Sequence, residues 1–457
     1  MFKSGANRIC VAAAVVMAAM TASCGDDKNN PDGPETPDEP SGEMEVMSPT
    51  RSKEFLEATA REFLNKFNPA DQQDFIRLAA YFEDQYGDLE LPESFEDGFY
   101  SPASFIKGLS RGIAAGNPSM AASAVAGYTY TIKFDDYKGV YTPGVHSWQK
   151  TDESDMIIFK FTDAQGAAAE LQVAASADAD EVTLTIPEWE YDYDSYDEYK
   201  VDYTYNIFMP HQMNITLTDN GRTMATAKTT TSIDTKGHKV SAVVEARVCN
   251  LELSASAKAD DSRVTQAASF KVGGDVVVNN TAEANGKNLC DISAWEKFGD
   301  IVDNGNDEAA ADYLTGMLKD GAAKVNVLGK VQLTANAKLD RQLIEALDSD
   351  FDNYEYSSQD DALKACKRAC GVVNDRLNAY FCYNNTTTRQ GLLVSQPKLY
   401  DEGYGYWWFE AEPVIKFESD GTTYSFSDFF GTGFGGVESL FESLIDNYKR
   451  VWESAVR

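Results

Sequence analysis

The stretch NITLTDNGRTMATAKTTTSIDTKGHKVSAVVEARVCNLELSASA, residues 214–257, decides the fold. Even positions from Val240 to Val248 are apolar, and from Leu251 to Ala257 the odd positions take over. A period of two belongs to a strand with one buried face. A slip of one residue turns every side chain to the opposite face, so the change of phase at Cys249-Asn250 predicts a bulge or a strand break there. Asn220-Gly221, between NITLT and TMATAKTTTSI, and Lys236-Gly237, ahead of KVSAVVEARV, carry hairpin chemistry, because these residues accept the positive φ of tight two-residue turns. Segments joined by such turns pair antiparallel.

The same period extends outward. Upstream it holds in Tyr128, Tyr130, Ile132 and Phe134, in Ile157, Phe159 and Phe161, and in Val182, Leu184 and Ile186. Downstream it holds over 268–278 and over 325–337, where Val325, Val327, Gly329, Val331, Leu333, Ala335 and Ala337 alternate. That last face narrows to small residues, which admit a helix closely; the stripe around Cys366 is the expected occupant. Helical spacing flanks the strands. Residues 49–86 read as two helices with Phe55, Phe63, Leu64, Phe67, Phe75, Leu78 and Phe82 on apolar faces, the second opened by Asn68-Pro69 and closed by Gly87. A third helix is predicted over 102–115, another near 361–382 and a final one from Val437, with strands over 391–397, 405–417 and 422–426 and a turn at Asp420-Gly421. The expected class is α+β: a large, mainly antiparallel, twisted sheet with N-terminal and C-terminal helices packed on it.

The first residues carry Lys3 and Arg8, no acid, and then the apolar run ICVAAAVVMAAM from Ile9 to Met20. A membrane-crossing helix needs about 20 apolar residues, so this run reads as an export signal. Thr21-Ala22-Ser23-Cys24 follows and resembles a lipobox, with Thr21 where Leu is common; cleavage before Cys24 would leave a lipid-bearing cysteine. Beyond it, Pro31, Pro34, Pro37 and Pro40 space an acidic segment that has no apolar core of its own. The expected organisation is a lipoprotein signal peptide over 1–23, a disordered acidic Pro-rich tether over 24–47, a helical region over 48–126, an antiparallel β-rich region over 127–283 and an α+β region over 284–457 that continues the same sheet. Acids close behind the cysteine resemble the surface-export signal of Bacteroidetes lipoproteins. That resemblance implies lipid anchoring in the outer membrane, facing outward, with the periplasmic face as the alternative.

Lys and Arg number 40 against 73 Asp and Glu, a net charge of −33. Nucleic acid is excluded as a partner, since counterion displacement needs a basic stripe, and anionic headgroups are disfavoured for the same reason. Besides Cys24, the mature region holds Cys249, Cys290, Cys366, Cys370 and Cys382, an irregular odd set that is no disulfide framework. Leu363, Cys366, Cys370, Val373, Leu377 and Phe381 recur at steps of three and four, so Cys366 and Cys370 belong to the apolar stripe of a helix rather than to a metal site.

Two aromatic concentrations are candidate contact sites for a glycan or other ligand. In EWEYDYDSYDEYKVDYTY, residues 188–205, acids alternate with Trp189, Tyr191, Tyr193 and Tyr196. Rings cover apolar sugar faces while carboxylates accept hydroxyl protons; the structural alternative is an edge strand whose acids block pairing. Trp407 and Trp408 form the other, one facing inward and one outward if they lie in a strand. Asp348, Asp350 and Asp352 have the first three spacings of a calcium loop, but the twelfth position is Gln359 where a bidentate Glu is required. Calcium is thus the one cofactor the sequence suggests, against an acidic interhelical loop. Gly431, Gly433 and Gly436 match G-x-G-x-x-G without the βαβ context that gives the motif meaning. With no catalytic constellation, the reading leans away from an enzyme, toward a binding or structural protein. A carrier of a lipid or other apolar ligand and a glycan-active hydrolase are the alternatives.

FDDYKGVYTPGVHSWQKTDESDMIIFKFTDAQG, residues 134–166, with its aromatic-Asp-Tyr-x-Gly-x-Tyr start, Trp148 and Phe159-Lys160-Phe161, resembles a group of large uncharacterised lipoproteins of gut Bacteroidetes. The resemblance extends through the threonine-rich strands to WWFEAEPVIKF. It implies a cell-envelope protein and brings no catalytic residues with it.

Overall fold

A computed structural model describes residues 34–91, 125–192, 197–303, 307–351, 358–403, 406–431 and 433–456. The expected signal peptide, Cys24 and the helix over 102–115 lie outside them. In chain order the elements are α1 (Pro49–Asn65), α2 (Gln73–Tyr86), β1 (Val125–Lys133), β2 (Gly139–Pro143), β3 (Trp148–Asp152), β4 (Ile157–Thr162), β5 (Ala168–Ala175), β6 (Ala179–Asp192), β7 (Asp197–Pro210), β8 (Gln212–Asp219), β9 (Arg222–Asp234), β10 (Lys239–Val248), β11 (Leu251–Ala259), β12 (Arg263–Val272) and β13 (Asp275–Gly286). Then come α3 (Ile292–Asp303), α4 (Asp307–Met317), β14 (Leu318–Val327), β15 (Val331–Lys338), α5 (Arg341–Phe351), α6 (Gln359–Arg376), β16 (Leu377–Tyr383), β17 (Arg389–Gly403), β18 (Tyr406–Phe417), β19 (Thr423–Ser425), α7 (Phe426–Phe430) and α8 (Gly435–Val456).

The protein is α+β. Sixteen strands are hydrogen-bonded neighbours in the order β3-β2-β4-β5-β8, continuing in sequence order from β8 to β19. Strand pairs along that meander, such as β8 with β9, β9 with β10, β14 with β15 and β17 with β18, are antiparallel, and β2 with β4 is a parallel exception. A separate three-stranded sheet, β1-β7-β6, pairs β1 parallel to β7 and closes β6 on β7 as a hairpin. The turn at Asn220-Gly221 stands where the sequence placed it, with φ of 47° and 73° between the paired Asp219 and Arg222, whereas the turn at Lys236-Gly237 spans residues 235–238 between the paired Asp234 and Lys239 and has its positive φ, 49°, at His238. The phase change at Cys249-Asn250 is a full strand break, with Cys249 at φ 54° between β10 and β11.

Three expectations are corrected. The helix predicted near 361–382 ends at Arg376, and Leu377 to Tyr383 form β16. Leu377 and Phe381 fit a strand as well as a helix, because a spacing of four is a multiple of two. The small-residue face of β14 and β15 is not the seat of the Cys366 helix either: α6 packs on β16, β17 and β18, where Asn374 Nδ2 donates to the Ser395 carbonyl at 2.9 Å. Finally, the expected tether is attached to the body from Glu35 onward, through Lys271 and Lys324.

By compactness the chain divides into two units, one of residues 1–68, 254–289 and 305–446, the other of residues 69–253, 290–304 and 447–457. In the second, Phe82 of α2 stacks on Trp148 at 6.1 Å and meets Phe161 edge-on at 4.9 Å. Around them Leu78, Ile132, Phe134, Tyr141, Ile157 and Met224 form a buried cluster. In the first, α1 lays Phe55 and Leu56 against Phe381, Tyr383, Ile415, Phe417 and Phe429. These residues carry the strand ends that organise the surfaces below. Cys366 and Cys370 are buried.

Candidate functional site

The sheet alternation of β17 and β18 collects one set of side chains on one face. Their register opposes Tyr400 to Trp408, Lys398 to Glu410 and Gln396 to Glu412, and directly opposed residues share a face. The Tyr400 and Trp408 rings stack across the strands at 4.0 Å and 11°. The Tyr400 hydroxyl donates to Glu410 Oε2 at 2.5 Å, and Lys398 Nζ donates to Glu412 Oε1 at 2.7 Å while lying 5.5 Å from the Tyr400 ring centroid. The carboxylates raise both neighbours: the Lys398 ammonium through its bond to Glu412, then Tyr400, and the Tyr400 phenol through Glu410. Lys398 therefore stays charged and Tyr400 stays a neutral donor across the physiological range.

Chemically this is a half-exposed aromatic platform rimmed by two carboxylates and a fixed ammonium. It offers ring faces for stacking and both acceptors and donors for hydroxyls. Trp408 shares the face of Tyr400, its register partner. Trp407 alternates with it, on the face of the buried Phe409. Sequence reasoning named the tryptophans and missed Lys398, Tyr400, Glu410 and Glu412. The signal was present in the alternation of Gln396, Lys398 and Tyr400 against Trp408, Glu410 and Glu412, but it becomes readable only once the hairpin register is known.

The other candidates are not brought to this platform by any described contact. Trp189 and Tyr191 lie on β6, paired in register with Lys200 and Glu198; Tyr193 and Tyr196 lie outside the described residues, as does Asp352. Asp348 and Asp350 stand on α5, which runs to Phe351. The first two residues of the expected calcium loop are therefore on helical backbone rather than in a loop. Among the described residues no group of three or more His, Cys, Asp or Glu is gathered as for a metal ion, and no helix is long and apolar enough to cross a membrane.

No family model, curated protein or solved structure matches the chain.

Proposed function

We propose that the chain is an exported lipoprotein, anchored through Cys24 in the outer membrane, whose body is a non-enzymatic binding protein using the Tyr400–Trp408 platform to contact a glycan. The observation that carries the binding reading is the stacked, half-exposed ring pair bordered by Glu410, Lys398 and Glu412. The rim groups already hold one another in place, so the platform is preorganised and little side-chain freedom remains to be lost on binding. The anchor reading rests on the apolar run from Ile9 to Met20 followed by Thr21-Ala22-Ser23-Cys24.

Two measurements test the halves separately. Cells fed a labelled fatty acid should label the wild-type protein and not Cys24→Ala, which should be released in soluble form; persistent labelling of the variant refutes the anchor. Trp408→Ala should lower retention on envelope and mucin polysaccharides in affinity electrophoresis by at least tenfold without lowering thermal stability by more than a few degrees. Equal retention by variant and wild type on every polysaccharide that binds removes the platform from the binding reading.

A further inference from the structure

On the face opposite Phe381 and Phe270, strands β12 to β16 carry a transverse row of polar side chains. Ser269 opposes Asn279, Asn279 opposes Asn326, Asn326 opposes Gln332, and Gln332 opposes Cys382. The four polar members are exposed by only 2%, 7%, 6% and 6%. Ser269 Oγ, Asn279 Oδ1, Asn326 Oδ1 and Gln332 Oε1 each accept no hydrogen bond from the described residues. Buried polar groups are ordinarily paired, so a run of four such atoms on adjacent strands marks a surface shaped for something other than what covers it.

Residues 34–40 are held by the strands that carry the row, and residues 41–47 pass the turn between β16 and β17, where Met44 and Met47 pack against the Phe381 cluster. Glu35 pairs with Lys271 on β12, and Glu39 with Lys324 on β14 at 3.2 Å. The Ser41 amide donates to the Asn385 carbonyl after β16, and the Gly42 carbonyl accepts from the Thr387 amide. The Met44 amide donates to Thr388 Oγ1, and the Met47 amide to Gln390 Oε1 on β17. The segment is thus a strap whose second half is hydrogen-bonded. From Pro34 to Pro40, its polar attachments among the described residues are the two ion pairs.

Pro34, Thr36, Pro37 and Pro40 are half-buried while Glu35, Asp38 and Glu39 are exposed. A spacing of three matches the turn of a polyproline helix and puts the prolines on one side. Proline has no N–H, so three of the four half-buried positions have no backbone donor to offer.

We propose that the polar face of β12 to β16 is a docking track for an extended acidic peptide from a partner protein, and that residues 35–40 occupy it in cis. The partner carries two carboxylates four residues apart for Lys271 and Lys324, and free backbone N–H groups where the strap has prolines. It peels the strap from its Glu35 end, where ion pairs screened by salt are the hold. A second copy of this chain is the poorer occupant, because it would bring the same prolines.

The test uses the full-length protein and a fluorescent peptide with the sequence of residues 34–47 in which all three prolines are alanine. Fluorescence anisotropy at low salt should show at least tenfold tighter binding to the loosened variant Glu35→Lys/Glu39→Lys than to wild type. It should weaken at least tenfold when Lys271→Gln and Lys324→Gln are added, and at least tenfold for the peptide that keeps its prolines. Wild type saturated with the alanine peptide should exchange the Ser41 amide faster, which reads the displacement without any variant. Equal binding of the two peptides, indifference to the lysine substitutions, unchanged Ser41 exchange, or a dimer of the loosened variant in light scattering that excludes the peptide each overturns the proposal.

Discussion

Asp340 joins two helices through one carboxylate, and its replacement separates two contributions to stability. Its Oδ1 accepts from the Leu343 amide at 3.1 Å, capping α5, and its Oδ2 accepts from Arg376 Nε at 2.5 Å in the last turn of α6. Both side chains of the ion pair are less than a third exposed, at 27% and 23%. Losing an N-cap costs about 0.5–2 kcal/mol, and losing a hydrogen bond to a charged group about 1.5–3 kcal/mol. The two share one carboxylate and do not add fully. Asp340→Ala is therefore expected to destabilise by about 2–4 kcal/mol, and Asp340→Asn, which keeps the cap, by about 1–2 kcal/mol. Burial pushes the Asp340 carboxyl up, but the bonds from Arg376 and the Leu343 amide, with Lys338 nearby, outweigh it and hold it below the ordinary 3.8. A group depressed on folding stabilises the native state fully above its unfolded value and loses that contribution as pH falls through the folded value. The gap between wild type and Asp340→Asn should be constant from pH 7 to about pH 5 and close below pH 3.8. Urea unfolding of wild type and both variants, repeated from pH 7 to pH 2.5, reads this directly. A gap as wide at pH 2.5 as at pH 7, or equal losses for Asn and Ala, refutes the assignment.

Gly391→Ala places a Cβ 2.7 Å from the Phe381 ring and 2.9 Å from the Lys416 carbonyl; overpacking of this kind should cost about 1–3 kcal/mol, seen as a lowered unfolding midpoint in urea, and an unchanged midpoint would show that the ring moves freely. Gln390→Met fills the same volume at a position with 0% exposure but removes the acceptor of the Met47 amide, so the local hold on the strap should weaken by about 1–3 kcal/mol. Hydrogen exchange at Met44 and Met47 should then rise roughly tenfold or more with little change in global unfolding; equal exchange contradicts the assigned bond.

Legibility in the sequence followed the range of the interactions. The turn at Asn220-Gly221 and the break at Cys249-Asn250 were readable because local φ requirements and the period of two are written in neighbouring residues. The end of α6 was not. Leu377 and Phe381 satisfy both periods, and β16 is decided by its pairing with β15 and β17, far away in sequence. The platform was half legible for the same reason: Trp408 announces itself, whereas Tyr400 and Glu410 become partners only through register. The strap was misread because its composition has no apolar core to bury. Its attachments are to Lys271, Lys324 and Gln390, more than 200 residues further along the chain, and no local pattern reports those.

The strap also sets an altitude. With Cys24 lipidated as proposed, the leash between bilayer and body runs only from Cys24 to Glu35, at most about 40 Å of contour. Unfastened as far as Ser48, the same leash could pay out to about 85 Å. A partner that took the place of residues 35–40 would lengthen the leash toward that limit and let the body rise from the membrane surface, so that occupancy of one sheet face becomes a change in how far the protein reaches from the cell.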